Sequence, residues 1–212
     1  VYKRQYIDGV ASDGFVEKGI TYDSNGNIQT LSRTAAGSET ENYRYTYAGN
    51  RMTQLHDSTT GASHSFAYDA NGNKTSETQA NGVVSTYTYN SANKITNHIT
   101  KSGNSTISEN EYSYYLDGSD ACKVRKESGI IETTSYEYDG LKRLTEEAVT
   151  TGSSTDTYAY EYDDYGNRSK MTATGSESYV TDYSYSDSNG NYTALLQKET
   201  KTVDLSLIHI SE

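Results

Sequence analysis

Tyr68-Asp-Ala-Asn-Gly-Asn73 decides how this chain folds, because the same pattern keeps returning. It stands again at Tyr22-Asp-Ser-Asn-Gly-Asn27, at Tyr162-Asp-Asp-Tyr-Gly-Asn167 and, with one residue inserted, at Tyr185-Ser-Asp-Ser-Asn-Gly-Asn191. Looser copies begin at Tyr47, Tyr89, Tyr114 and Tyr138, the one at Tyr114 departing most. These eight anchor tyrosines are separated by 25, 21, 21, 25, 24, 24 and 23 residues. Self-similarity at a near-constant period marks a repeat array.

Seven anchors have an aromatic residue two positions earlier: Tyr45/Tyr47, Phe66/Tyr68, Tyr87/Tyr89, Tyr112/Tyr114, Tyr136/Tyr138, Tyr160/Tyr162 and Tyr183/Tyr185. In the first copy Ile20 stands there instead. A spacing of two places side chains on one face of a β-strand. Glycines punctuate the rest. One set follows the anchors (Gly26, Gly49, Gly72, Gly118, Gly140, Gly166, Gly190, with Ala92 in the fourth copy). A second set falls about halfway to the next anchor (Gly37, Gly61, Gly82, Gly103, Gly129, Gly152, Gly175). Two turns per repeat leave two strands per repeat, so each copy is a β-hairpin. Asp23, Asp69, Asp139 and Asp163 are placed to accept amide hydrogen bonds in Asx turns. Asn27, Asn50, Asn73, Asn167 and Asn191, next in line, tolerate left-handed backbone. In the second strand Ile28, Leu31, Met52, Leu55, Ile95, Val124, Leu144 and Met171 are the expected buried residues. The expected fold is all-β: tandem antiparallel hairpins, sixteen strands, forming one coiled or curled open ribbon sheet. Open sheets rarely exceed ~10 strands without curling.

Composition agrees with a thin, solvent-washed sheet. The 212 residues include 22 Tyr, 2 Phe, no Trp and no Pro, and 33% are hydrophobic. Tyrosine buries its ring while its hydroxyl stays wet, and disordered chains are poor in aromatics. A net charge of −11 argues against nucleic acid and anionic lipid as partners. The single Cys122 cannot form an intrachain disulfide and reads as a small strand residue. No apolar run is long enough to span a membrane.

The copies resemble the YD repeat, also called the RHS repeat: aromatic-x-Tyr-Asp, two variable residues, Gly-Asn-Arg, then an apolar residue and Thr. Tyr162-Asp-Asp-Tyr-Gly-Asn-Arg168 and Tyr68-Asp-Ala-Asn-Gly-Asn-Lys74 match closely, and Tyr138-Asp-Gly-Leu-Lys-Arg-Leu-Thr145 resembles the family's Leu-containing variant. The resemblance covers about residues 15–200. It implies a hairpin ribbon wound into a hollow shell, as in bacterial RHS toxins, wall-associated proteins, insecticidal toxin complexes and teneurins. In the toxins the shell encloses a C-terminal toxic domain, freed by a proline-containing cleavage segment. This chain has no proline, so that segment is not expected within it. The expected partners are the remainder of the same polypeptide and an encapsulated toxin domain, with cell-wall glycan as the alternative. The expected location is secreted or cell-surface. Residues 1–212 are read as a single array. The stretches 1–5 and 205–212 fit no repeat and read as non-native, translated adapter sequence on a slice of a longer gene.

The sequence carries no expected catalytic, cofactor-binding or metal site. Asp-x-Asn-Gly-Asn at Asp23, Asp69 and Asp187 suggests calcium through its alternating oxygens. The loops are short, however, lack a bidentate Glu, and are explained equally by turn formation. His56 and His64 flank Gly61 and could face each other, but two ligands without a third make a poor site. His98 and His209 stand apart. The expected role is structural, and the chain is not expected to be an enzyme.

Overall fold

The computed structural model describes residues 3–4, 15–35, 38–193 and 195–203. His209, Gly37 and the stretch 205–212 lie outside the described residues, as do residues 1, 2 and 5 of the first stretch. The chain divides into two units, 1–107 and 108–212.

All regular structure among the described residues is β. A two-residue strand, β1 (Lys3–Arg4), precedes sixteen others that fall into eight hairpins. The first four are β2 (Phe15–Tyr22) with β3 (Ile28–Ala35), β4 (Ser38–Ala48) with β5 (Arg51–Asp57), β6 (Ser63–Tyr68) with β7 (Lys74–Thr78), and β8 (Val83–Tyr89) with β9 (Ile95–Ser102). The last four are β10 (Ser105–Tyr114) with β11 (Asp120–Glu127), β12 (Ile130–Tyr138) with β13 (Leu144–Thr151), β14 (Ser154–Tyr162) with β15 (Arg168–Thr174), and β16 (Tyr179–Ser184) with β17 (Lys198–Val203).

Within each unit every strand pairs antiparallel with its neighbour in sequence. Among the described residues no ladder joins β2 to β9 or β10 to β17, so neither unit closes on itself. The tandem-hairpin expectation holds, with two strands per repeat.

Six of the eight anchors end their strands: Tyr22, Tyr68, Tyr89, Tyr114, Tyr138 and Tyr162. The register slips by one residue beside these six and beside Tyr47 as well. The partner strand therefore carries one extra residue each time: Gln29, Thr53, Thr75, Thr96, Ala121, Thr145 and Ser169. This is a β-bulge at a fixed place in the repeat. Bulges bend a strand and increase local twist.

Residues directly opposite each other share a face. The register puts Leu31, Met52, Leu55, Ile95, Leu144 and Met171 opposite aromatic residues. They line the tyrosine rows as expected but are only half-buried. One expectation of burial fails, and one half-buried residue lies on the other face. Ile28, immediately after the first turn, is exposed. Val124 lies opposite Glu111 and Thr133, on the face without tyrosines, because the bulge at Ala121 moves it across.

The described positions that are fully buried are small: Ser85, Thr134, Ala173 and Thr181. Ser85 and Thr134 each stand two residues before the first tyrosine of a strand, and Thr181 stands between Tyr179 and Tyr183. Ala173 lies opposite both Tyr158 and Tyr179. Tall rings on a single-layer sheet shade short neighbours, and that shading takes the place of a two-layer core.

Candidate functional site

Among the turns that follow the anchors, six of five residues, and a seventh within the longer eighth connection, share one backbone design. In the turn 69–73 the Asp69 amide donates to the Asn73 carbonyl at 3.0 Å, and the Gly72 amide donates back to the Asp69 carbonyl at 3.1 Å. The Asp69 carboxylate accepts from the Asn73 amide at 2.9 Å and from the Asn73 side-chain Nδ2 at 2.9 Å. The turns at Asp23, Asp163 and Asp187 repeat both carboxylate bonds. At Asp139 the clamp is the Nε of Arg143, 2.7 Å away.

The side-chain bond from Asn27 or Asn73, chiefly, holds Asp23 and Asp69 below the ordinary carboxylate range. At Asp23, Asp69 and Asp187, where the sequence suggests calcium or turn formation, the carboxylates accept hydrogen bonds from their own turns. Among the described residues no three His, Cys, Asp or Glu side chains gather as metal ligands.

Three details differ from expectation. The Asn that follows Gly is not left-handed; its amide clamps the Asp instead. In the fourth turn the left-handed residue is Asn93 (φ 58), whose amide donates to Asn90, and not Ala92. In the sixth it is Lys142 (φ 63), not Gly140. In both cases the residue three after the Asp or Asn takes the glycine's place, so counting from the Asp finds what counting glycines misses. The divergent fifth turn is ordered on the same plan, with Tyr115 in the Asp position and Gly118 left-handed.

Turns touch the turns of adjacent copies. Asn71 and Asn73 both donate to Asn93 Oδ1, at 3.1 and 2.9 Å. Asn27 donates to the Gly49 carbonyl at 3.3 Å. In the second unit Lys142 pairs with Asp117 at 3.1 Å, and Tyr165 stacks on Tyr192 at 4.0 Å.

The tyrosine hydroxyls are the larger surprise. Tyr68 donates to the Met52 carbonyl at 2.9 Å, Tyr89 to Lys74 at 2.7 Å and Tyr162 to Leu144 at 2.7 Å. Met52, Lys74 and Leu144 are the residues opposite the previous copy's anchor, beside the bulge. Each such anchor thus fastens its hairpin to the one before, and its hydroxyl is not left to water.

Cations lie over the rings: Lys74 Nζ over Tyr87 at 5.1 Å, Arg143 over Tyr162 at 4.5 Å, Arg168 over Tyr160 at 4.4 Å and Lys201 over Tyr179 at 3.5 Å. Burial, acting first, raises the phenol ionisation of Tyr45, Tyr89 and Tyr136. The histidine pairing fails. His56 lies opposite Ser63, which it meets at 2.8 Å, while His64 lies opposite Leu55, so the two occupy different faces. His98 stacks on Tyr87 at 4.6 Å. Cys122 is half-buried between Ser113 and Ser135.

Residues 68–106, the third turn through the fourth hairpin, match the family model of the RHS Repeat. This stretch of the chain carries the RHS repeat. Two crystal structures share the fold seen here. TcdB2-TccC3-TEV aligns at a TM-score of 0.68 and 20% identity, over 86% of this chain and 10% of that one. TcdB2-TccC3-Cdc42 aligns at 0.69 and 19%, over 88% and 10%. The chain therefore spans about a tenth of the length of the chains it matches in these structures. No curated protein matches it in sequence.

Proposed function

We propose that this chain is a stretch of shell wall in a larger, secreted or cell-surface RHS protein, with a scaffolding role and a toxin domain of the same polypeptide as its cargo. The observation that carries the reading is the hydroxyl fastening at Tyr68, Tyr89 and Tyr162, which joins hairpin to hairpin through backbone atoms. Such a bond adds the next unit without asking for a particular partner side chain, which suits an extended wall. The RHS match and the shared fold support the scaffold; the cargo is inferred from the repeat's resemblance to toxin shells.

The test uses the full-length polypeptide that contains this segment. Digestion with a broad protease should leave any region beyond the repeats intact, and the Gly175→Ala variant should expose it to cleavage. Equal digestion of that region in both proteins would refute encapsulation.

A second reading, glycan binding, is favoured by Tyr165, 72% exposed at a turn tip and stacked on Tyr192. Titration with cell-wall glycan, followed by tyrosine fluorescence, tests it: a saturable change lost in Tyr165→Ala supports this reading, and no change removes it.

A further inference from the structure

Two copies place a glutamate at the same point of the tyrosine face, three residues after the partner of the anchor. Glu77 lies opposite Phe66 and Ser85. Glu147 lies opposite Tyr136 and Tyr158. The two differ in what neutralises them. Lys74, the partner of Tyr68, bonds Glu77 at 2.6 Å, and its ammonium sits 5.1 Å from the Tyr87 ring and 6.0 Å from Phe66. The residue equivalent to Lys74 in the sixth copy is Leu144, the partner of Tyr138. Glu147 is left with the Tyr160 hydroxyl at 3.4 Å and no ion-pair partner among the described residues. The register and the Tyr160 contact place the carboxylate beside both rings, and burial and then the Glu147 charge raise the ionisation of Tyr136 and Tyr160.

From this internal comparison we infer that Glu147, Tyr136, Tyr158 and Tyr160 form a binding site for the primary ammonium group of a ligand, a small alkylamine or a lysine side chain. The carboxylate supplies the counter-charge and the rings supply their negative faces, as aromatic cages do for cations. Copy three shows the site already filled, by the chain's own Lys74. Arg168 covers Tyr160 from β15, the strand on the other side of β14 from β13, which carries Glu147. The site is independent of the shell reading.

The test is a titration of the whole chain, carrying ¹³C-labelled tyrosine, with n-butylammonium chloride, with sodium chloride at matched ionic strength as reference. Saturable shifts confined to a few tyrosine signals are expected with n-butylammonium and not with sodium. Glu147→Gln should weaken binding at least tenfold. Leu144→Lys should abolish it by installing the copy-three arrangement, and Lys74→Leu should create a second site at Glu77. Nα-acetyl-lysine amide giving the same shifts would identify a lysine side chain as a sufficient ligand. A response equal to that of sodium, or one that survives both Glu147→Gln and Leu144→Lys, overturns the assignment.

Discussion

Replacing Gly175 by alanine is expected to loosen the seventh and eighth hairpins far more than the same change at Gly61 loosens the third. Gly61 has φ +76, and a Cβ there would meet nothing within 4 Å. Its cost is left-handed backbone alone, about 1–2 kcal/mol, partly offset by the stiffer unfolded chain. Gly175 has φ +128, and its Cβ would lie 2.6 Å from the Thr155 carbonyl oxygen and 2.8 Å from the Asp156 Cα. Those are backbone atoms of β14 and cannot swing aside. The Asp156 carboxylate, which accepts the Ser176 amide at 2.6 Å, must also move.

Strain at such a φ costs roughly 1–3 kcal/mol, and forced overpacking roughly another 1–3 kcal/mol. The two sites should therefore differ by about 3 kcal/mol, roughly a hundredfold in local opening. A repeat array opens locally, so a single melting temperature is a blunt readout. Amide hydrogen exchange in β14–β16 for Gly175→Ala, and in β5–β6 for Gly61→Ala, measures each site in place. Equal loss of protection at the two sites would refute the argument from the Thr155 and Asp156 backbone.

Other outcomes follow from the same contacts. Tyr162→Phe should cost about 0.5–1.5 kcal/mol, the worth of one hydrogen bond. Tyr183→Phe, whose hydroxyl has no bond among the described residues, should cost almost nothing by the same denaturation assay. Gly72→Val should destabilise strongly, because φ is +92, a backbone that a β-branched residue hardly adopts, whereas the exposed Ser91→Ala should be silent; equal hydrogen exchange in β6–β9 would count against the assigned turn. The half-buried Tyr45, Tyr89 and Tyr136 have raised ionisation in the folded chain. Their contribution is fully present below the unfolded value near 10 and is lost as pH rises above it. Circular dichroism and tyrosinate absorbance should therefore change together in alkali. The turn aspartates are lowered, Asp117 to about 2 through the Ser119 amide. Their contribution holds above the unfolded value near 3.9 and disappears as pH falls through the folded one, so acid unfolding should begin below about pH 4 and be advanced by Asp69→Asn.

The strand count, the hairpin pairing and most of the turn positions were legible in the sequence, because spacing and turn chemistry are local. Phe66/Tyr68 and Tyr87/Tyr89 announce their strands by alternation, and Asp69 and Gly72 announce the turn between β6 and β7. The bulge was not legible. Thr53, Thr75 and Thr145 look like ordinary strand residues, and only the paired register shows them as extra. That one-residue slip sent Val124 to the face without tyrosines, where it is half-buried. Nor was the role of the hydroxyls visible, since a carbonyl sixteen residues back, as Met52 is from Tyr68, leaves no mark in a pattern of period two. The Glu147 site was missed for a related reason: Glu146 and Glu147 read as a solvated pair, and only the register separates them, with Glu146 opposite Ala159 and Glu147 opposite Tyr158.

The reason tyrosine, and not phenylalanine or leucine, recurs at the anchors follows from the single-layer sheet. An aliphatic side chain stabilises by being covered from above, and a single layer supplies no cover, as the half-buried Leu31 and Met171 show. A tyrosine can lie along the sheet, shade a small neighbour such as Thr134 or Ala173, and end on a carbonyl of the preceding hairpin. Its ring contributes area and its hydroxyl contributes direction, so each copy is held by the copy beside it and not by a shared interior. Stabilisation that local also explains the array's tolerance of variation. Tyr115 can stand in for Asp in one turn, and Arg143 for Asn in another, because each substitution has only to close its own turn and meet its neighbour.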